Sequence, residues 1–181
     1  MTILITGGSG SGKSKFAEQL LHKMHPGRKV YIATMHAFDH ESMRRIGRHR
    51  SQREGLNFST VEQYVDIGSA VIEEGAAVLL ECISNLTANE MFDPGASGAD
   101  ALSAVVEGVR ALKQKSSILI IVTNEIFSDG YLYSVETREY QKCLGAVNRE
   151  LADMSDHVFE VVYGVPVHLK GACDESLVEQ L

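Results

Sequence analysis

TGGSGSGKS, residues 6–14, decides how this chain folds. Four of its residues satisfy the P-loop pattern G-x-x-x-x-G-K-[ST], namely Gly7, Gly12, Lys13 and Ser14. In such a loop, glycines let the backbone wrap a phosphate chain with N–H donors, and the helix that follows adds its positive N-terminal end. The apolar run TILIT (2–6) precedes the motif, and helical spacing follows over 13–24. This strand–loop–helix context predicts a phosphate site formed by Gly7, Gly8, Ser9, Gly10, Ser11, Gly12, Lys13 and Ser14.

The rest of the chain alternates strand-like and helix-like segments. Further strands are predicted at KVYIAT (29–34), AVLLE (77–81), SILIIVT (117–123) and VFEVVY (158–163), because these nearly continuous apolar runs are typical of strands buried on both faces. Helical spacing predicts helices at 13–24, 41–52, 62–74, 99–114 and 136–154. DPGASGAD (93–100) is expected to be an exposed loop. The predicted fold class is α/β, a P-loop NTPase with a RecA-like, mostly parallel sheet flanked by helices.

Length and composition narrow the range of functions. The 181 residues with 44% hydrophobic content predict one nucleotide-binding domain over 1–181. A formal net charge of -7 argues against a nucleic-acid partner and favours a small anionic ligand. Three widely spaced cysteines give neither a disulfide framework nor a metal pattern, and no apolar run is long enough to span a membrane. We therefore expect a cytoplasmic protein without a membrane span.

Acidic and basic residues near the P-loop are the candidate catalytic groups. Lys13 would neutralise terminal phosphates, and Ser14 would hold Mg²⁺. Glu81 ends a predicted strand at the phosphate side of the sheet, where it would bind Mg²⁺ directly or through water, or act as a base toward a hydroxyl. A solvent-exposed acid with no such role is the alternative. Asn124 and Glu125 end the next strand and are either substrate contacts or loop residues.

RRIGRHRSQR (44–53) places five arginines and a histidine in ten positions of an acidic chain. On a helix, Arg45, His49 and Arg53 lie along one face with Arg50 beside them. Arginines suit the non-bridging oxygens of a phosphate ester, and an imidazole between them is a candidate nucleophile. An ordinary solvated helix face is the alternative explanation.

A set of further segments occurs in a distinctive order along nearly the whole chain. After GGSGSGKS come YIAT (31–34), D-x-E with R-I-x-x-H-R-x-x-R (39–53), T-x-E (60–62), LLEC (79–82), VTNE (122–125), G-x-x-N-x-x-L-A-D-x-x-D (145–156) and GVPVHLK (164–170). In this order the chain resembles the bifunctional adenosylcobinamide kinase/adenosylcobinamide-phosphate guanylyltransferase family of cobalamin biosynthesis. Two segments depart from the family pattern: IFSDGYLY (126–133), and REYQK (138–142).

The resemblance implies a two-step activity. Family members phosphorylate a hydroxyl of adenosylcobinamide, and then transfer GMP from GTP to that phosphate through a guanylylated histidine that matches His49. The resemblance implies that Lys13 and Glu81 are further catalytic residues. It also implies that GTP and ATP are the nucleotide substrates, and that Ser14 and Glu81 bind the metal ion, Mg²⁺. Positions that match the family's nucleotide contacts are Thr34, Arg50, Arg53, Glu62 and Glu81. A homotrimer is implied in the same way.

Two other functions stay open at this point. A P-loop kinase of another small hydroxylated substrate would need Lys13 and Glu81, but would make His49 only a phosphate contact or a surface residue. A non-catalytic nucleotide-binding module would use the altered 126–133 segment as a partner surface. Neither alternative accounts for a histidine set between arginines, and a covalent label at His49 separates them from the bifunctional enzyme.

Overall fold

A seven-stranded sheet with helices on both faces forms the core of the protein. The computed structural model describes residues 1–37, 39–128 and 133–172, apart from the side chains of Arg45 and Gln52. The strands are β1 (Thr2–Thr6), β2 (Lys29–Ala33), β3 (Phe58–Glu62), β4 (Ala76–Glu81), β5 (Ser116–Val122), β6 (His157–Val162) and β7 (Val165–Lys170). Their order is β3-β2-β4-β5-β1-β6-β7, and every pairing is parallel except that of β6 with β7. The predicted RecA-like, mostly parallel sheet is confirmed.

The described residues form five α-helices between the strands: α1 (Lys13–Met24), α2 (His40–Gln52), α3 (Ile83–Phe92), α4 (Ala101–Lys115) and α5 (Val135–Met154). Alternation along β1 divides the buried side chains between two cores. Ile3 and Ile5 pack with Leu20 of α1 on one face of the sheet, while Leu4 packs with the helices α3, α4 and α5 on the other. Since parallel strands end together, the segments after β1, β2 and β4 meet at one edge of the sheet.

The central strands and four of the predicted helices are confirmed with boundaries that differ by no more than two residues. The helix predicted over 62–74 is wrong. Glu62 instead ends β3, Asp66 has a left-handed φ of 47°, and only a 3₁₀ turn forms at Ile67–Ser69. Burial of Ile67 beside Gly108 of α4 holds this segment against the core, and its hydrogen bonds are those of a 3₁₀ turn. The sequence analysis also missed β3, α3 and β7, whereas 93–100 is the expected irregular stretch apart from a 3₁₀ turn at Gly98–Asp100.

Across the described residues, none of the helices has both the length and the apolar character that a membrane crossing requires.

Candidate active site

The P-loop between β1 and α1 is built around three glycines with positive φ. Gly7 has φ 149°, and a Cβ placed on it would lie 2.6 Å from the carbonyl oxygen of Val161, so no larger residue fits there. Lys13 is 7% exposed, and its Nζ donates to the carbonyl oxygen of Gly8 at 2.9 Å. Burial lowers the pKa of the Lys13 ammonium. The loop thus holds the buried Lys13 ammonium against its own backbone. Binding of a phosphate chain requires a positive charge in this position.

Glu81 lies at the end of β4 and connects the P-loop to the basic helix. Its Oε1 accepts a hydrogen bond from Ser14 Oγ, and the same oxygen lies 3.9 Å from His49 Nδ1. Tyr31 donates its hydroxyl to the other carboxylate oxygen at 3.4 Å, and burial and the Glu81 charge keep the pKa of that phenol well above its usual range. Ser14 and Glu81 are therefore two adjacent oxygen donors, the ligand type that Mg²⁺ prefers. These residues fit the predicted metal site.

The basic segment forms α2, and its C-terminal half faces a cleft beside Glu81. Asp39 caps the helix by accepting from the backbone N–H of Ser42 at 2.7 Å. His49 is about one-fifth exposed, whereas Arg50 lies at the rim and pairs with Glu62 at 3.3 Å. The cleft is lined by Tyr31, Ala33, Met35, Ile46, His49, Arg50, Arg53, Thr60, Glu62, Glu81, Cys82 and Asn85. Five of the predicted site residues thus line one cleft: His49, Arg50, Arg53, Glu62 and Glu81. Arg45 belongs to α2, but its side chain lies outside the described residues.

Arg53 is buried and therefore does not belong to a solvated basic helix face, the alternative explanation for the arginine-rich segment. It follows α2 directly, is 7% exposed, and lays its guanidinium 3.4 Å from the ring centroid of Tyr31. Its Nη1 lies 3.7 Å from Glu18 Oε1. The arginine therefore sits beneath the cleft, between the end of α2 and the buried face of α1.

Glu18 and Tyr31 are site residues that the sequence analysis missed. Glu18 is 1% exposed on α1 and lies among apolar neighbours such as Ala17 and Leu21. One oxygen each from Glu18 and Glu81 and one ring nitrogen of His49 lie within 4.8 Å of one another. A charged residue at a position where α1 otherwise presents apolar side chains was the signal that marked Glu18. Tyr31 gave no such signal, because an aromatic residue is ordinary in a buried strand.

The strong burial of Glu18 predicts a pH dependence of stability. Burial first, and then the Glu81 charge, raise the pKa of Glu18 from 4.5 to about 7, with Arg53 opposing the change. The folded protein binds this proton more tightly than the unfolded chain, so the stability it contributes is present below pH 4.5 and is lost as the pH rises through about 7. The free energy of unfolding should fall by up to about 3 kcal/mol over that interval, as measured by denaturant titration without nucleotide.

Glu18→Gln should flatten this interval of the pH profile, because the amide does not titrate. Glu107→Gln is the matched control, since Glu107 is 63% exposed on α4 and, among the described residues, forms its ion pair with Arg110 of the same helix. A native profile that rises from pH 4.5 to 7, or a Glu18→Gln profile as steep as the native one, would contradict the assignment.

Thr34, a predicted nucleotide contact, is fully buried and holds the end of β4. Its Oγ1 donates to the carbonyl oxygen of Cys82 and accepts from the N–H of Cys82, both at 2.8 Å. The backbone N–H of Thr34 donates to the carbonyl oxygen of Glu81 at 3.1 Å. The side chain of Thr34 therefore fixes the backbone beside Glu81.

Thr34→Val should lower the free energy of unfolding by about 1–3 kcal/mol, because it leaves a buried N–H and a buried carbonyl without these bonds. Thr87→Val is the control: Thr87 is also fully buried, but its hydroxyl makes no hydrogen bond within the described part of the chain. Its replacement should be neutral or stabilising. Equal losses in the two variants, measured by denaturant unfolding, would show that the bonds to Cys82 contribute nothing.

Asn124 and Glu125 lie at the carboxyl end of β5 and form hydrogen bonds to neighbouring segments of the chain. Asn124 Nδ2 donates to Ser84 Oγ at 2.5 Å. The N–H of Glu125 donates to the carbonyl oxygen of Gly7 at 3.0 Å, and its carboxylate accepts from the backbone of Phe127 at 2.8 Å. These contacts support the P-loop and the start of the altered 126–133 segment, of which residues 129–132 lie outside the described part.

A strand–P-loop–helix unit in a mostly parallel sheet, with an acid at the end of β4 beside the P-loop serine, defines the chain as a P-loop NTPase-fold protein. Residues 3–169 match the family described as cobinamide kinase / cobinamide phosphate guanyltransferase, and the chain belongs to that family. The resemblance inferred from the sequence is confirmed.

Two curated relatives and one solved structure show the extent of the similarity. The bifunctional adenosylcobalamin biosynthesis protein CobU of Escherichia coli (strain K12) is 32% identical, over 94% of this chain and 100% of that protein. CobU of Salmonella typhimurium is 30% identical with the same coverage. A solved Pyrococcus horikoshii OT3 protein matches with a TM-score of 0.51 at 10% identity, over 96% of this chain and 88% of that chain. The last match concerns the fold alone.

Proposed function

We propose that this protein phosphorylates a hydroxyl of adenosylcobinamide and then transfers GMP from GTP to the new phosphate through a guanylylated His49. Membership of the kinase/guanyltransferase family supports both steps. The observation that carries the proposal is the position of Glu81 Oε1, which accepts from the P-loop serine and lies 3.9 Å from His49 Nδ1. A kinase loop and a candidate nucleophile thus meet at one carboxylate.

In the first step, the acceptor hydroxyl oxygen attacks the γ-phosphorus of ATP or GTP, its proton passes to Glu81 or to solvent, and the nucleoside diphosphate leaves. The P-loop N–H groups and Lys13 would stabilise the charge on the phosphate oxygens. Ser14 and Glu81 are the residues that would hold Mg²⁺, which when bound neutralises phosphate charge. The buried position of Lys13 strengthens its effect, because little water screens it.

In the second step, a ring nitrogen of His49 attacks the α-phosphorus of GTP, and pyrophosphate leaves. An oxygen of the acceptor phosphate then attacks the same phosphorus, the N–P bond breaks, and the imidazole is regenerated. Because Nδ1 faces Glu81, we assign the attack to Nε2, with the carboxylate aligning the ring and stabilising its positive charge. Arg50 and Glu62 at the rim would contact the nucleotide. Thr34 would influence the bound nucleotide indirectly, through the backbone beside Glu81 that it fixes. Arg53 would contribute its positive charge from beneath the cleft.

Assembly and location complete the proposal. Family resemblance supports a homotrimer working in the cytoplasm, with the corrinoid and a nucleotide as its substrates and no nucleic-acid partner. Sedimentation of the purified protein gives the number of subunits directly, and a mass of three chains is the expected result.

A two-label reaction tests the proposed function. The native protein is incubated with adenosylcobinamide, Mg²⁺, γ-labelled ATP and GTP carrying a different label on its α-phosphate, and the corrinoid product is isolated. We expect both labels in one product, in equal amounts where ATP is the phosphate donor and with less γ label where GTP also donates, and unlabelled pyrophosphate released. A product with the γ label alone would indicate a kinase without guanylyl transfer. Nucleotide binding without either label would leave a binding module.

A further inference from the structure

Arg53 anchors the C-terminal end of α2. All described side chains of α2 are exposed or half-buried, whereas Arg53, immediately after it, is buried between the Tyr31 ring and Glu18. His49 lies one turn before Arg53, on the same face of the helix. The position of the Arg53 guanidinium therefore determines where the candidate nucleophile stands relative to Glu81.

Glu18 is the carboxylate that holds this anchor. Its side chain is 2% exposed, and its Oε1 accepts no hydrogen bond within the described residues, with Arg53 Nη1 at 3.7 Å. Burying a carboxylate costs much free energy, and a buried ion pair is often no more stabilising than apolar side chains of the same size. Stability alone is thus a weak reason for this pair. Its location connects α1, which starts at the P-loop, to the end of α2.

We infer that Glu18 is a positioning residue for guanylylation: through its ion pair with Arg53 it holds α2 so that His49 faces Glu81 beside the P-loop. The inference rests on the proposed function, because it concerns the step in which His49 attacks GTP. When the pair is broken, GTP still binds at the P-loop, but His49 is displaced from the line of attack. A displacement on the order of 1 Å is enough to slow such a step by about 100-fold.

The test uses the purified native chain and Glu18→Gln, an isosteric change that removes the charge. Covalent labelling by α-labelled GTP with Mg²⁺ is followed over time at pH 8, above the pKa of Glu18, at a series of GTP concentrations. We expect Glu18→Gln to label about 30- to 100-fold more slowly at saturating GTP, while the half-saturating GTP concentration changes by less than threefold. Glu107→Gln, a surface carboxylate change on α4, should label like the native protein.

A second variant separates positioning from stability. At pH 8, Glu18→Gln removes the charge of a buried carboxyl whose pKa burial raises, so it should melt no lower than the native protein, and Glu18→Gln/Arg53→Met, which removes both charges, should melt close to it. We expect the double variant to remain slow in labelling, because α2 has lost its anchor. A double variant that labels at the native rate would overturn the inference, since α2 would then hold His49 in place without the pair.

The outcomes distinguish this inference from the proposed function. A native protein that takes no label would overturn guanylyl transfer and the role of Glu18 with it. A labelled native protein with an equally fast Glu18→Gln variant would overturn the role of Glu18 alone. A change confined to the half-saturating GTP concentration would also overturn it, because Glu18 would then serve nucleotide binding.

Discussion

Replacing His49 by alanine should reduce the covalent label that α-labelled GTP leaves on the protein by at least about 1000-fold, because no other group replaces a missing nucleophile. In the native protein the label should be lost in acid and retained in base, as expected of a phosphoramidate. His49 Nδ1 lies 3.9 Å from Glu81 Oε1, the same oxygen that accepts from the P-loop serine, so the imidazole stands at the edge of the predicted phosphate site. The measurement is scintillation counting of denatured protein after a short incubation.

His40→Ala is the matched control for this experiment. His40 starts the same helix and is exposed, so its loss changes the same side-chain type on α2 without touching the cleft. It should label like the native protein. GTP binding by His49→Ala, followed by equilibrium dialysis, should stay within about threefold, since the P-loop is intact. A His49→Ala protein that still takes acid-labile label would place the covalent step on another residue.

The second large effect is expected from Lys13→Ala. Removing the buried ammonium should slow phosphorylation of the acceptor by on the order of 100- to 1000-fold, because developing charge on the phosphate loses its main cationic partner. The guanylyl label should fall as well, since both steps bind a triphosphate in the same loop. Lys13 donates only to the carbonyl of Gly8 among its described bonds, so the variant should fold.

Lys15→Ala gives the comparison for Lys13→Ala. Lys15 is exposed two residues further along α1, so it removes an equal charge near the P-loop without entering it. Its rates should stay within about twofold of the native values, measured by γ-phosphate transfer to the acceptor. Equal losses in the two variants would mean that general positive charge, and not a cation placed within the loop, supports the reaction.

The central part of the fold could be predicted because its strands are buried on both faces. Continuous apolar runs identify β1, β2, β4, β5 and β6. The edge strands β3 and β7 were not predicted. β3 is half-exposed, and β7 alternates exposed valines with Pro166, so neither is a continuous apolar run. The helix α3 was not predicted because its buried face carries polar residues. Thr87 and Glu90 are buried beside Leu86, so the sequence shows no amphipathic pattern.

The candidate site was predictable where a residue lies beside a recognisable motif. The P-loop and the strand-end position of Glu81 follow from local spacing, and His49 stands out among arginines. Burial of Arg53 could not be foreseen, because nothing along α2 indicates that a guanidinium will stack on Tyr31 from another strand. The same holds for Glu18, whose partner lies 35 residues away in sequence and meets it only when α1 and the end of α2 pack together.

Glu81 Oε1, the oxygen at which the P-loop serine and His49 meet, makes the two proposed reactions compete for space. The P-loop can hold one nucleotide at a time. A nucleotide bound for transfer of its γ-phosphate therefore excludes a GTP molecule bound for attack at its α-phosphate. Each molecule of product then requires an exchange of nucleotide between the steps. Where ATP is the phosphate donor, the proposed function then makes the ratio of ATP to GTP a control on the rate of product formation, with the highest rate where neither nucleotide occupies the loop most of the time.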